Sequence, residues 1–425
     1  MKFTRYQTFV VAVLAFLQFT IVLDFMILSP LGALLLQELH ISTAQFGLVV
    51  SVYAFSAGIS GFLAAGFADR FDRKKLLMFF YSGFILGTVL CGVVRDYHML
   101  LLARMVTGLF GGVIGAINFA IIADLFSYEL RGRVMGFVQT AFSASQVMGI
   151  PLGLYLSNHW GWHAPFLMIA GAALVVWVVV LLRLKPIDAH LQLSSGRNPV
   201  KHIFETVTKT RYLWAFGTTM LLSTGGFMLM PFASTFTVHN LGLSLHQLPI
   251  IYMMTGISSM FVGPLIGRLS DRVGKYPTFV VGTLLCAVIV VFYCNLGTTP
   301  LWQVVLFNMA LFATVVTRLI SSQALISGVP AMKERGAFMS VNSSVQQLSG
   351  GVATSIAGVI VVQTPSGRLD HYDILGYVVC TAFFLTIALM YKVQAQMGAV
   401  VASPLTPPAT AGSALGFRGS SGRLL

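Results

Sequence analysis

Three ionisable residues lie inside long apolar runs of this chain: Asp24, Arg104 and Arg318. Charge at membrane depth is expensive and persists where it faces a cavity or a partner. An acid and an arginine in that setting suit one chemistry above others, the uptake and release of a proton. Desolvation favours the neutral acid, a neighbouring guanidinium favours the carboxylate, and a conformational change that alters either balance moves the proton. At about 1.5 Å rise per residue, Asp24 lies roughly 24 Å from the cytoplasmic start of the first apolar run, and Arg104 roughly 30 Å from the cytoplasmic end of the fourth. The depths are similar, so an ion pair between them is feasible. Two readings of Asp24 stay open, a structural partner for Arg104 and a carboxylate that carries a proton. Arg318 falls nearer the cytoplasmic side, where a snorkelling or structural arginine and a substrate contact are equally open.

The elements that must position these groups are membrane helices. Of 425 residues, 56% are hydrophobic and 9% charged, which describes a polytopic membrane protein. A span needs about 20 mainly apolar residues. Runs of that length can be laid out twelve times, centred near residues 22, 56, 85, 111, 145, 174, 224, 257, 286, 314, 350 and 382. Two charged segments at helix ends recur 202 positions apart, Asp69-Arg70-Phe71-Asp72-Arg73-Lys74-Lys75 and Asp271-Arg272-Val273-Gly274-Lys275. A second pair, Arg131-Gly132-Arg133-Val134-Met135-Gly136 and Arg335-Gly336-Ala337-Phe338-Met339-Ser340, recurs at 204. Such recurrence predicts an all-α membrane protein of two pseudo-symmetric six-helix bundles, residues 1–184 and 211–394. A polar linker at 185–210 would join them, and a Pro/Ala/Ser/Gly/Thr-rich tail at 395–425 is expected to be disordered.

The net charge of +13 would suggest nucleic acid in a soluble domain, but here the positive residues concentrate in short loops. With the N-terminus inside, the cytoplasmic segments hold Arg70, Arg73, Lys74, Lys75, Arg131, Arg133, Arg268, Arg272 and Lys275 among many others. The opposite face holds only Arg95 and Arg368, which predicts both termini in the cytoplasm. The N-terminal apolar run reads as a retained first helix, being too long for a signal peptide. Cys91, Cys286, Cys294 and Cys380 all fall in apolar stretches and read as packing residues rather than disulfides or metal ligands.

Uncharged polar residues within the spans fit a water-accessible cavity: Gln18, Asn118, Gln139, Ser143, Gln146, Ser223, Thr224, Asn308, Asn342, Gln346 and Gln347. Any one of them also suits plain interhelical bonding. Gly108-x-x-x-Gly112 and Gly111-x-x-x-Gly115 allow close helix approach in the fourth span. Pro151, between Gly149 and Gly153, interrupts the fifth and makes either a static kink or a rocking point.

Over essentially its whole length the chain resembles the major facilitator superfamily. Asp69, Arg70, Arg73 and Lys74 match that family's loop signature Gly-x-x-x-Asp-Arg-x-Gly-Arg-Lys, with Ala65 and Asp72 in place of its glycines. The second-half repeat from Gly267 to Lys275, with Asp271 and Arg272, fits better. The resemblance implies that this loop is a gate, closed by pairing helix ends in the outward-facing state. Arg104, Gly108 and Gly112 are similar to the fourth-helix motif of the drug:proton antiporter branch, and Leu23-Asp24 to its first-helix acidic motif. That implies proton coupling at Asp24 and Arg104. The fifth-helix antiporter motif matches poorly, since Ser145 replaces its first glycine and Pro151 is displaced by one. This form looks more like the sugar- and arabinose-efflux members.

The expected function is therefore proton-coupled efflux of a small organic molecule, such as a drug, sugar or nucleoside-like compound, by a monomer in a bacterial inner membrane. The substrate cavity would use Gln18, Asn118, Gln139, Gln146, Asn308, Arg318, Asn342 and Gln346. A proton-linked importer or facilitator is the alternative, and a non-transporting receptor or scaffold a more distant one. Gly274-Lys275-Tyr276 lacks the spacing and the Ser/Thr of a phosphate loop, and no metal-ligand motif or nucleophile elbow occurs. No enzyme activity, cofactor, metal or nucleic-acid partner is expected.

Overall fold

The structure, a computed structural model, describes residues 3–64, 70–188, 191, 207–330 and 335–402. Among these residues the chain crosses back and forth in twelve long helices. The first six are α1 (Arg5–Ile27), α2 (Thr43–Ala64), α3 (Arg73–Cys91), α4 (Tyr97–Leu125), α5 and α6 (Ala164–Arg183). The second six are α7 (Thr210–Leu229), α8 (Leu248–Val273), α9 (Lys275–Cys294), α10 (Leu301–Ile326), α11 (Arg335–Ile360) and α12 (Tyr372–Ala402). α5 joins two α-helical stretches, Tyr128–Ala144 and Ile150–Trp160, through a π-helical turn, Ser145–Gly149.

Loop acids start two of these helices by accepting otherwise unpaired N–H groups. Asp72 accepts from the amides of Lys74 and Lys75 at the head of α3, and Asp96 from that of Met99 at the head of α4. Ten helical segments among the described residues are long and apolar enough to cross a bilayer. The two spans outside that set have physical reasons. The π turn divides α5, and α11, which packs against both α2 and α7, is made less apolar by Ser343, Ser344, Gln346, Gln347 and Ser349.

Each packing pair in the first set has its counterpart in the second. α1 packs on α5 and α6, and α7 on α11 and α12; α3 packs on α4 and α6, and α9 on α10 and α12; α2 packs on α4, and α8 on α10. The two sets meet through α2 against α11 and α5 against α8.

Two boundaries and one connection differ from expectation. The first span was expected to centre on residue 22, but α1 ends at Ile27, so Asp24 stands on its last turn. The apolar run continues past the helix end because Leu28 and Leu31 and a short helix, Gly32–Glu38, stay buried there. Pro30 disfavours helix at the residue before it and ends α1, and Pro231 stands in the matching place after α7. α12 runs on to Ala402, through the first residues of the expected tail; 403–425 and most of the linker lie outside the described residues. A two-stranded hairpin, Val362–Gln363 with Leu369–Asp370, joins α11 to α12, an element absent from the expectation.

Hydrogen bonds join the two sets at the face opposite the one where α1 begins and α12 ends. The Ser29 hydroxyl donates to the Met230 carbonyl, and Ser234 returns a bond to the Ser29 carbonyl at 2.8 Å. Thr43 donates to Val361 O at 2.6 Å, Asn158 to Leu245 O at 3.2 Å, and Ser355 to Ser51 at 2.9 Å. Gly47 and Gly358 let α2 and α11 cross here, since a Cβ on Gly358 would stand 2.9 Å from Thr43 O and 3.2 Å from Ala44 Cα. Overpacking such a crossing costs about 1–3 kcal/mol. Gly358→Val therefore opens this face, and cysteines introduced beside it gain reactivity toward a membrane-impermeant reagent several-fold. Unchanged labelling would show that the crossing does not hold the face shut.

Candidate functional site

Asp24 and Arg104 form an ion pair between α1 and α4. Arg104 Nη1 donates to Asp24 Oδ2 at 2.8 Å, with the two side chains 0% and 1% exposed. The Thr88 hydroxyl, on α3, stands 2.9 Å from the Phe84 carbonyl of its own helix and 3.4 Å from Asp24 Oδ1, its single proton serving one or shared between the two. The Arg104 guanidinium carbon lies 4.5 Å from the centre of the Tyr53 ring on α2, a cation–π contact, while Arg104 Nε has no hydrogen-bond partner. Four helices of the first set thus converge on one buried charge pair.

Glycines set the approach of those helices. On α4, a Cβ at Gly108 would meet Tyr53 O at 2.5 Å, and one at Gly112 would meet Ala57 at 2.5 Å. On α5, a Cβ at Gly149 would meet Leu23 at 2.6 Å and one at Gly153 would meet Ile27 at 2.7 Å. These two glycines seat the residues on either side of Asp24. The π turn at Ser145–Gly149 absorbs the backbone disturbance ahead of Pro151, which has no N–H to donate. On its other side this turn meets the second set, where a Cβ on Gly256 of α8 would lie 2.9 Å from Gln146 C and Val147 N. The segment carrying Gly149, Pro151 and Gly153 therefore touches both the helix of Asp24 and the partner bundle.

The polar residues expected to line a cavity fall into separate groups. Asn118 donates to Gln18 at 3.4 Å between α4 and α1, and Thr219 to Asn342 at 2.7 Å between α7 and α11. Gln146 is buried with its Oε1 unpartnered, Ser143, Gln346 and Gln347 are half-buried, and Gln139 is exposed. Asn308, Ser223 and Thr224 bond to carbonyls of their own helices, Val304, Thr219 and Met220. Arg318 is 3% exposed on α10; its Nε donates to Thr283 at 3.2 Å and its guanidinium carbon sits 3.7 Å from the Phe383 ring centre.

In the charged loop, Arg73 pairs with Asp124 of α4 at 3.1 Å and Lys74 donates to the carbonyls of Leu181 and Leu184, all within the first set. Arg70, Asp271 and Arg272 are exposed, and Asp69 lies outside the described residues. Sequence reasoning passed over Tyr53 and Thr88. One signal for Thr88 was present: Phe84-x-x-Gly87-Thr88-x-x-Cys91 recurs as Phe279-x-x-Gly282-Thr283-x-x-Cys286. In each copy the threonine reaches the arginine centre, directly at Arg318 and through Asp24 at Arg104.

Comparison with known proteins agrees with this architecture. The sequence profile of the Major Facilitator Superfamily matches residues 14–354. The MFS-type transporter YceJ of Bacillus subtilis (strain 168) is 28% identical over 384 residues, covering 88% of this chain and 95% of the relative. The multidrug resistance protein MdtG of Klebsiella pneumoniae (strain 342) is 26% identical over 353 residues, covering 81% and 83%. The solved structure of a D-xylose–proton symporter superposes with a TM-score of 0.75 at 15% identity, over 91% of this chain and 98% of that one. The duplicated set of six helices and a profile that runs from α1 into α11 lead to one assignment: this multi-pass chain belongs to the major facilitator superfamily, whose members carry small substrates across membranes.

Proposed function

We propose that the protein is a proton-coupled exporter of a small organic molecule, with Asp24 and Arg104 as the proton-coupling pair. The observation that carries this reading is the fully buried ion pair itself. Holding an arginine and a carboxylate out of water costs several kcal/mol per ion, and hydrophobic residues of similar volume often hold such a position at least as well. A pair kept there despite that cost suits a site where one member changes protonation as the protein changes shape. Membership of the family and similarity to MdtG, a multidrug resistance protein, support export.

The excess of Lys and Arg on the face that carries both chain ends supports a cytoplasmic position for that face in a bacterial inner membrane. On that orientation the bonds from Ser29, Ser234 and Thr43 form a closed outer gate, and the charged segment from Arg70 to Lys75 lies at the opposite, inner face. Gln18, Asn118, Gln146 and Asn342 are offered as cavity contacts, and the protein as a monomer.

Export and import are separated by one experiment. Inverted vesicles containing the protein are given a panel of drugs, sugars and nucleosides, with and without an inside-acid gradient. The exporter reading expects a panel compound to accumulate only when the gradient is present, and to leave when the gradient is collapsed. Loss of preloaded compound driven by the gradient would establish symport instead, and transport indifferent to the gradient would remove proton coupling.

A further inference from the structure

Among the described residues, the second set of helices contains a buried guanidinium without its own acid. Arg104 and Arg318 are each held against a copy of the same eight-residue pattern, with Gly87 receiving Thr107 and Gly282 receiving Thr317. The two copies are 195 positions apart, whereas the charged loops are 202 apart, so the second centre is displaced by about two helical turns toward the face carrying the chain ends. The first centre has a carboxylate at 2.8 Å. Among the described residues no carboxylate is within ion-pair distance of Arg318. Thr283 occupies one of its donors, Cys286 flanks it, and the Phe383 ring covers its flat face.

Two polar groups here are left over. Arg318 Nη2 and Ser321 Oγ have no hydrogen-bond partner, although the residues are 3% and 0% exposed. Three residues apart on one helix, they share a face. A buried donor with nothing to donate to costs about 1–3 kcal/mol, and more when it is charged. The cation–π contact offsets part of that without using the leftover N–H. An anion placed between the guanidinium and the hydroxyl would satisfy both groups and neutralise the charge. The Phe383 ring is wedged between Arg318 and α7, where a Cβ on Gly225 would meet it at 2.3 Å. Glycine at 225 leaves the space that the ring fills.

We propose that Arg318 and Ser321 bind a monovalent anion, either the carboxylate of the transported molecule or a small inorganic anion. The carboxylate source rests on the reading of the chain as a transporter of organic molecules; the anion site does not. The test is thermal unfolding of the purified full-length protein, titrated separately with sodium benzoate and sodium chloride at constant ionic strength, with sodium sulfate, which supplies neither a carboxylate nor a monovalent anion, as the balancing salt. Ligand that binds the folded state raises the unfolding midpoint saturably.

The expected result is a saturable rise in wild type that is lost in Arg318→Gln and unchanged in Asp24→Asn. Ser321→Ala, which removes an unpartnered hydroxyl, is expected to fold at least as well as wild type and to need about tenfold more anion for the same rise, the equivalent of one hydrogen bond to a charged group. A rise with benzoate assigns the site to an organic carboxylate, and a rise with chloride alone assigns it to an inorganic ion. No saturable rise with either salt, or a rise that persists in Arg318→Gln or is unaltered in Ser321→Ala, overturns the proposal. The readout needs no gradient, so a failure of proton coupling in Asp24→Asn leaves it standing.

Discussion

Asp24→Asn is expected to abolish uphill transport while leaving downhill exchange intact. Asparagine keeps the shape of the side chain and still accepts a hydrogen bond from Arg104, so the α1–α4 contact survives. It has no proton to give up. On the proton-coupled reading, loss of that titration unties proton entry from substrate movement, and the accumulation ratio in vesicles is expected to fall to about one, the value set by an uncoupled carrier. Exchange of labelled for unlabelled compound across the same vesicles proceeds within about twofold of wild type, because each half-cycle needs only the alternation between faces. Full gradient-driven accumulation in the asparagine variant would assign Asp24 a structural role only.

The second large effect is on Arg104. In Arg104→Ala the Asp24 carboxyl loses both its guanidinium and the shape that filled the space above Tyr53. Breaking a buried pair from one side typically costs about 3–5 kcal/mol, since the remaining charge is uncompensated. The alanine variant is therefore expected to unfold well below wild type or to hold Asp24 as the neutral acid, and in either case to lose coupling. Arg104→Lys keeps the charge but not the planar fork that reaches Asp24 while lying over Tyr53; it is expected to assemble and couple poorly. Adding Asp24→Asn to Arg104→Gln removes both charges at once and should recover most of the stability lost in Arg104→Ala without recovering coupled transport. The comparison is made from thermal unfolding midpoints and accumulation ratios of the four proteins. A double variant no more stable than Arg104→Ala would mean that lost packing, and not an orphaned charge, dominates the site.

Much of this arrangement is legible from residue type alone. A lone acid and two arginines in apolar runs stand out against lipid, and rise per residue is enough to match Asp24 with Arg104 in depth. The recurrence of charged loops gives the duplication because polar loops must return to the same face after each set of six helices. What escaped has a common cause. Hydropathy measures burial, not helix continuity, so the buried turn at Leu28–Leu31 was merged into the first span and Asp24 was placed mid-helix. Pro151 announced a disturbance, but periodicity does not distinguish a kink from the π turn that precedes it. Tyr53 and Thr88 are ordinary residues for a membrane helix, and only the angle between helices brings them to the charge pair. Amides are equally ambiguous: Asn118 bridges to Gln18 across helices, whereas Asn308 satisfies a carbonyl of its own helix.

The claim that Asp24 exchanges a proton is tested most directly by infrared difference spectroscopy of the protein in liposomes, recorded between acid and alkaline pH. Protonation of a buried carboxylate creates a carboxylic C=O band that solvent-exposed acids do not share in position. The account predicts such a band in wild type, its absence in Asp24→Asn, and a displaced band in Arg104→Lys, where the guanidinium no longer sets the environment of the acid. An Asp24→Asn spectrum identical to wild type would contradict it.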